Sequence, residues 1–300
     1  MELWIPVTIG AAFMQNLRTA LQKHLKAALS TAGATSARFF YAVPFALFYV
    51  ALLTRALEAP LPTPNALFLL HGAVGGVTQI VATALLVLLF SFRNFAVGTA
   101  YSKTEAMQSA AFGIVILGEA VSLKAALAIL VSIVGVFAIT LARSREGLAA
   151  ALSGLAGKPA LIGLASGAFF GASAVEYRAA ALALGGEGFL VQAAFTLACV
   201  TLWQSLLMAV WLGWREPGQL AKVFRSWKVT GLVGLFGMLG SACWFTAMTI
   251  QNVAYVRALG QIELVFTFIA SYFFFRERAN RGEVVGILLI VAGILVLLLG

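Results

Sequence analysis

Residues 94–135 recur in the same chain 158 positions later. Asn94 and Ala96 answer Asn252 and Ala254, Glu105 answers Glu263, Glu119 answers Glu277 and Gly135 answers Gly293. A constant offset over so long a stretch means two homologous halves, so the fold must be built from two copies of one unit. Weaker matches carry the repeat backward. Gly72, Val74 and Gly75 pair with Gly231, Val233 and Gly234 at an offset of 159, and Ala37 and Phe39 with Ala193 and Phe195 at 156, as short loop insertions would produce.

The unit has to live in lipid. Hydrophobic residues make up 62% of the 300 positions and charged residues 10%, and the mean hydropathy is +0.99, against an apolar share of about 45–50% in soluble domains. A hydrocarbon core about 30 Å thick takes roughly 20 helical residues per crossing, and ten such segments can be placed. They run Leu3–Lys23, Thr35–Leu53, Leu67–Phe90, Asn94–Leu117 and Leu123–Ala142, then Ala160–Leu182, Phe189–Leu212, Val229–Ile250, Asn252–Phe275 and Val284–Leu299. The junction between the halves is Arg143–Pro159, where charge, glycine and proline interrupt the apolar pattern. Five spans in each half make the second copy enter from the opposite side. The expectation is an all-α integral membrane protein with ten transmembrane helices in two inverted five-helix repeats, residues 1–147 and 158–300. Glycines at helix-packing spacing, such as Gly163, Gly167 and Gly171, would let backbones approach closely.

A net charge of +9 in a soluble chain would suggest nucleic acid; here the basic residues must first be sorted by depth. Arg18, Arg38, Lys103, Arg178 and Arg257 fall inside spans. Of the rest, Arg55 and Lys124 lie on one side. Lys23, Lys26, Arg93, Arg143, Arg145, Lys158, Arg215, Lys222, Arg225, Lys228, Arg276, Arg278 and Arg281 lie on the other. The positive-inside rule makes that richer face cytoplasmic and both termini external, in a cell membrane of the bacterial inner-membrane kind. The first apolar stretch lacks the charged n-region and cleavage site of a signal peptide and reads as a span. Cys199 and Cys243 both sit in apolar spans, and the chain contains no Asp. With no phosphate-binding loop, His-Glu-x-x-His pair or Gly-x-Ser-x-Gly elbow, neither an enzyme nor a cofactor nor a metal is expected.

Ionisable groups inside spans should face a cavity or a partner. In the fourth span Asn94, Gly98, Tyr101, Glu105 and Gln108 follow the spacing of one helical face, with Lys103 pointing elsewhere. In the ninth, Asn252 and Glu263 hold the matching positions, Gln261 answers Lys103, and Arg257 stands one turn earlier. Inversion would bring these two spans together near the midplane, with Glu105 and Glu263 sharing one site. Arg18, Gln15 and Asn16 in the first span, Gln79 in the third and Trp244 in the eighth complete the candidate set: Glu105, Glu263, Lys103, Arg18, Tyr101, Gln108, Arg257, Gln261, Gln79 and Trp244. Arg38, Glu176 and Arg178 read as interfacial side chains whose charged ends reach water. His71 reads as structural, and Glu119 and Glu277 as caps or local pairs at helix ends. The two central glutamates either neutralise Lys103, Arg257 or Arg18 as a register-fixing network, or bind a substrate amine or a proton.

Leu117-Gly118-Glu119 followed by Ala120-Val121-Ser122, with Ala128 and Gly135, resembles the end of a repeat in the drug/metabolite transporter superfamily. Phe275-Arg276-Glu277-Arg278 with Gly286 and Gly293 resembles the same element in the second half. Over essentially its full length the chain is similar to the ten-helix EamA-type members. That resemblance implies two inverted five-helix repeats, a central cavity, alternating access and, often, export of amino acids or other small metabolites. The chain departs from many relatives in having no proline in the fourth and ninth spans, reading Tyr101-Ser102-Lys103-Thr104-Glu105 and Gly260-Gln261-Ile262-Glu263 there. The combined expectation is a secondary transporter, by resemblance an exporter, of amino acids or similar small polar metabolites, with proton coupling through Glu105 or Glu263. The alternative is a multidrug or cationic-compound exporter. The partners expected are a small-molecule substrate, protons and the lipid bilayer, with no nucleic acid.

Overall fold

Lipid offers the backbone no hydrogen-bond partners, so an apolar chain of this kind satisfies its peptide groups within helices. The computed structural model describes residues 2–92, 95–143, 157–186, 188–273 and 280–299, and there every regular element is a helix. The first half contains α1 (Trp4–Leu25), α2 (Thr31–Phe40), α3 (Ala42–Ala56), α4 (Ala66–Leu89), α5 (Phe95–Ser102), α6 (Glu105–Leu117) and α7 (Leu123–Arg143). The second contains α8 (Lys158–Ala183), α9 (Phe189–Arg215), α10 (Gln219–Arg225), α11 (Trp227–Ile250), α12 (Val253–Gly260), α13 (Ile262–Phe273) and α14 (Arg281–Leu299). The short α10 was not foreseen from the apolar pattern.

Helix ends follow local chemistry. Ser30 Oγ accepts from Gly33 N at 3.0 Å and starts α2, and Asn65 Oδ1 accepts from Phe68 N at 2.8 Å and starts α4. Pro159 occupies the first turn of α8, where its missing N–H costs nothing. Gly118, at φ +66°, ends α6 in the left-handed conformation that lacks a steric penalty only for glycine.

Among the described residues, seven helical stretches are long and apolar enough to cross a membrane: Thr31–Ala56, Ala66–Leu89, Leu123–Ala142, Lys158–Ala183, Phe189–Arg215, Trp227–Ile250 and Arg281–Leu299. The remaining three of the ten expected spans depart from expectation for physical reasons. α1 is long enough but carries Gln15, Asn16, Arg18, Gln22 and Lys23. The fourth and ninth spans, expected as continuous helices, are each broken in two, at 103–104 between α5 and α6 and at Gln261 between α12 and α13.

The most extensive packing joins α7 to α14, α4 to α8 and α1 to α11. α7 and α14 run antiparallel: Ala128 meets Gly293, Gly135 meets Gly286 and Ala142 meets Gly282. At one end of the bundle Ser30 bonds Glu216 and Gln219, and Asn280 Nδ2 donates to Ala142 O at 2.7 Å. At the other end Asn65 Nδ2 donates to Ala183 O at 2.5 Å, Ser122 meets the Tyr255 hydroxyl, and Arg178 meets Glu119. Loops expected to share a face therefore touch one another. Large apolar side chains such as Phe48, Leu69, Val115, Val210 and Leu288 face outward, as a lipid-facing surface requires. Arg93, Asn94, residues 144–156, Phe275, Arg276, Glu277 and Arg278 lie outside the described residues, as do the side chains of Phe95, Ala96 and Arg143.

Candidate substrate site

Neither break contains proline, although Gly260 lies within the second; both are tightened turns. Lys103 N bonds Ala100 O at 3.0 Å, Thr104 N bonds Tyr101 O at 3.1 Å and Met107 N bonds Thr104 O at 3.1 Å, all i to i−3 in place of i to i−4. Gln261 N repeats this with Ala258 O at 3.2 Å, and Leu264 N with Gln261 O at 3.0 Å. Because Met107 N turns to Thr104, the Lys103 carbonyl loses its ordinary helical donor. Gln261 Nε2 replaces it at 2.9 Å, so the broken turn of one half caps the broken turn of the other at the position 158 residues away. A buried carbonyl left without a donor would cost about 1–3 kcal/mol.

The breaks turn the central charges into two crossed ion pairs. Lys103 Nζ contacts Glu263 Oε1, and Arg257 Nη1 lies 3.6 Å from Glu105 Oε1. Each pair takes its acid from one half and its base from the other. The two glutamates are held unequally. Gln15 Nε2 donates to the second oxygen of Glu263 at 2.8 Å, and Trp244 Nε1 fixes Gln15 by donating to its Oε1 at 3.1 Å. Asn16 Nδ2 donates to Thr267 Oγ1 at 2.9 Å, one turn beyond Glu263. Glu105 has Arg257 alone as its ion-pair partner among the described residues. The Arg257 guanidinium stacks over the Trp244 ring, 4.7 Å from its centroid, a placement that favours a desolvated cation.

Both pairs line one cavity of about 780 Å³ between the halves. Its wall includes Arg18, Lys103, Glu105, Arg257 and Glu263 from the candidate set, joined by Gln15, Asn16, Thr19, Lys23, Thr99, Ser102, Thr140 and Thr267 and by apolar Leu86, Val136, Ile139, Phe170 and Leu264. The other five candidates are elsewhere. Trp244 supports Arg257 from behind, and Gln261 caps the Lys103 carbonyl. Gln108 turns back onto Thr104 Oγ1 at 2.9 Å, and the Tyr101 ring stands edge-on to Phe137 at 4.8 Å. The break at 103–104 rotates α6 relative to α5, so the single polar stripe expected through Tyr101, Glu105 and Gln108 does not form. Gln79 is corrected outright: its Oε1 accepts from the Tyr177 hydroxyl at 2.8 Å and from Gln204 Nε2 at 3.1 Å in a separate buried cluster.

Three side chains expected to reach the interface are instead tied inside. Arg38 is 6% exposed and donates to Thr83 Oγ1 at 3.3 Å and Ser241 Oγ at 3.4 Å. Glu176 is buried against His71 Nδ1 at 2.6 Å, which leaves His71 partnered as expected. Arg178 Nε donates to Glu119 Oε1 at 2.7 Å, while its Nη1 donates to the carbonyls of Met248, Thr249 and Gln251 that end α11. A cation on a helix C-terminus is favourable. Glu119 thus pairs across the halves, not locally. Thr267 was missed from sequence although it lies four residues after Glu263 on the same face; the Glu119–Arg178 pairing has no sequence signal.

No curated protein matches this chain. One solved structure, described only as the crystal structure of a protein, is similar over 99% of this chain and 96% of its own length, with a TM-score of 0.71 at 16% sequence identity; that likeness shows the fold alone. Residues 157–299 match the EamA-like transporter family, the domain of the drug/metabolite transporter superfamily. Apolar helices long enough to span a bilayer and this match together make the chain an integral membrane protein whose second half belongs to the EamA-like transporter family.

Proposed function

We propose that the chain is a secondary transporter of amino acids or similar small polar metabolites, working by alternating access of two inverted five-helix repeats, residues 1–147 and 158–300. The observation that carries the proposal is the cavity between the halves, walled by ion pairs that each take one partner from either half. Ten spans are counted by reading α2 with α3, α5 with α6 and α12 with α13 as one crossing each. The α7–α14 contact supports inversion. Ala128 and Gly135 correspond to Gly286 and Gly293 at the offset of 158, so Gly135 on Gly286 and Gly293 on Ala128 are one contact with the halves exchanged. A two-fold axis lying across antiparallel helices produces that pattern. Broken helices at the midplane are the usual places for substrate in such repeats.

The cavity extends along α1 to Lys23, toward the lysine- and arginine-rich end, which the positive-inside rule makes cytoplasmic. The opposite end is held by Glu119 with Arg178 and Ser122 with Tyr255, each joining the two halves. This state faces inward, the state in which an exporter would load its substrate. Flux of radiolabelled amino acids and organic acids in proteoliposomes tests the function; absence of any protein-dependent flux across the panel would overturn it.

Two predictions arise here. Glu119→Gln should weaken the outer closure. In a Cys199→Ser, Cys243→Ser background, Ser102→Cys on the cavity wall should then react several-fold faster with a membrane-impermeant thiol reagent added to intact cells. Equal labelling with and without Glu119→Gln would remove the closure role. Proton coupling is assigned to Glu105, because Glu263 has both carboxylate oxygens engaged whereas Glu105 has one long contact. Glu105→Gln should therefore abolish the pH dependence of flux. Retention of that dependence would exclude Glu105 as the coupling group.

A further inference from the structure

Resting on the transport reading and narrowing its substrates to anions, we propose that the site takes a net-negative organic acid, acidic amino acids included, whose carboxylate seats on Arg18 and Arg257, in preference to a neutral zwitterion or a cation. Charge in this buried space does not balance. The two crossed pairs neutralise Lys103 with Glu263 and Arg257 with Glu105. Arg18, only 3% exposed, is left over: its Nη1 meets Gln22 Oε1 at 3.2 Å, and no carboxylate of the described residues lies within ion-pair distance. Gln22 is itself spent on Ala34 O at 3.1 Å. Arg18 shares the cavity wall with Arg257 and lies within electrostatic reach of Glu105, Glu263 and Arg257.

Two further observations strengthen the positive field. Arg38 stands directly behind Arg18: a methyl group placed on Gly237 would lie 3.3 Å from Arg18 Cδ and from Arg38 Cγ alike. Arg38 bonds two hydroxyls and meets no carboxylate among the described residues, so it adds charge without adding a counter-ion. Arg257 is 4% exposed, and its Nε is a buried donor with no acceptor among the described residues. A buried guanidinium that no carboxylate of the described residues contacts is a seat for a two-oxygen anion, since the guanidinium fork matches carboxylate geometry. Ile139, Val136 and Phe170 on the facing wall suit an apolar body behind that head group. A cation would meet this surplus as repulsion, which weighs against export of cationic compounds.

The test uses the purified full-length protein in detergent, with thermal unfolding followed in benzoate, glutamate, leucine or tetraethylammonium at equal ionic strength. A ligand of the folded state raises the midpoint. Benzoate and glutamate should raise it, and leucine and tetraethylammonium should not. Arg18→Gln should cut the affinity for benzoate tenfold or more while folding normally, since it removes a cation that no acid neutralises; Arg18→Lys should retain part of it. An equal benzoate shift in Arg18→Gln, or a larger shift with tetraethylammonium than with benzoate, would overturn the proposal. Stabilisation by benzoate without flux of any solute would uphold the seat and overturn transport. Flux of tetraethylammonium without stabilisation by either anion would do the reverse.

Discussion

Replacing Glu263 by glutamine is expected to lower the stability of the folded protein by about 3–5 kcal/mol, the usual cost of removing one partner from a buried ion pair. Lys103 and Glu263 are 13% and 12% exposed, and Glu263 is the only carboxylate of the described residues in contact with the Lys103 ammonium. The variant would leave that ammonium in the bundle without its counter-ion. It would also loosen the set that joins α1 to α13, because Gln15 and, behind it, Trp244 are aligned on the Glu263 carboxylate. Adding Lys103→Met should restore most of the loss, since a paired charge and an apolar side chain of similar length are often close to equal in stability. Glu58→Gln, at an exposed glutamate outside the helices, is the control and should change little. Unfolding of the four proteins in detergent decides the matter. If the single variant at Glu263 were as stable as the control, the Lys103–Glu263 contact would not hold the halves together. Glu105→Gln provides the contrast, with a smaller loss because its contact to Arg257 is longer and Arg257 keeps the Trp244 ring.

The difference between these two glutamates marks what a sequence can and cannot reveal. The pairing of 105 with 263 was legible from a repeat of fixed offset, and so was the company of Lys103, Arg257 and Arg18, because charge in an apolar span has few places to go. The crossing of the pairs was not legible. It depends on tightened turns at 103–104 and 261 that carry no proline and replace i to i−4 bonds with i to i−3, and helical periodicity cannot register a shift of that kind. Gln108 and Tyr101 were placed on the site by a stripe that assumed an unbroken helix. Gln79 was placed there by polarity alone, yet polarity is satisfied equally well by Tyr177 and Gln204. For Arg38 and Arg178 the sequence suggests side chains reaching toward water, because long cationic side chains commonly do so. Each instead found hydroxyls or helix-end carbonyls inside the fold, partners that come from distant segments.

Gly163→Ala is expected to disrupt the bundle more than its single methyl group suggests. A Cβ on Gly163 would overlap Gly98 O and lie 2.8 Å from Gly98 Cα. Those are backbone atoms of α5, which cannot rotate away as a side chain would, so α8 and α5 would have to separate. Gly98 is closely packed on two sides, since a Cβ built on it would meet Pro159 O of α8 at 2.6 Å and the Leu89 side chain of α4. In lipid, close contact of this kind is itself what holds helices together, without a hydrophobic drive to compensate for its loss. The cost should reach the upper end of the roughly 1–3 kcal/mol seen for overpacked cores. The separation should also reach the cavity, since Ser102 and Phe170 on its wall lie further along these two helices. The matched control is Gly113→Ala in α6, where nothing lies within 4 Å of the added carbon. There alanine should be neutral or stabilising by up to about 1 kcal/mol through helix propensity. Thermal unfolding of both variants, with flux measured beside it, separates the outcomes. Equal stability of Gly163→Ala and Gly113→Ala would mean that the α5–α8 approach does not constrain the fold, and the close seating of the two halves around the cavity would need another explanation.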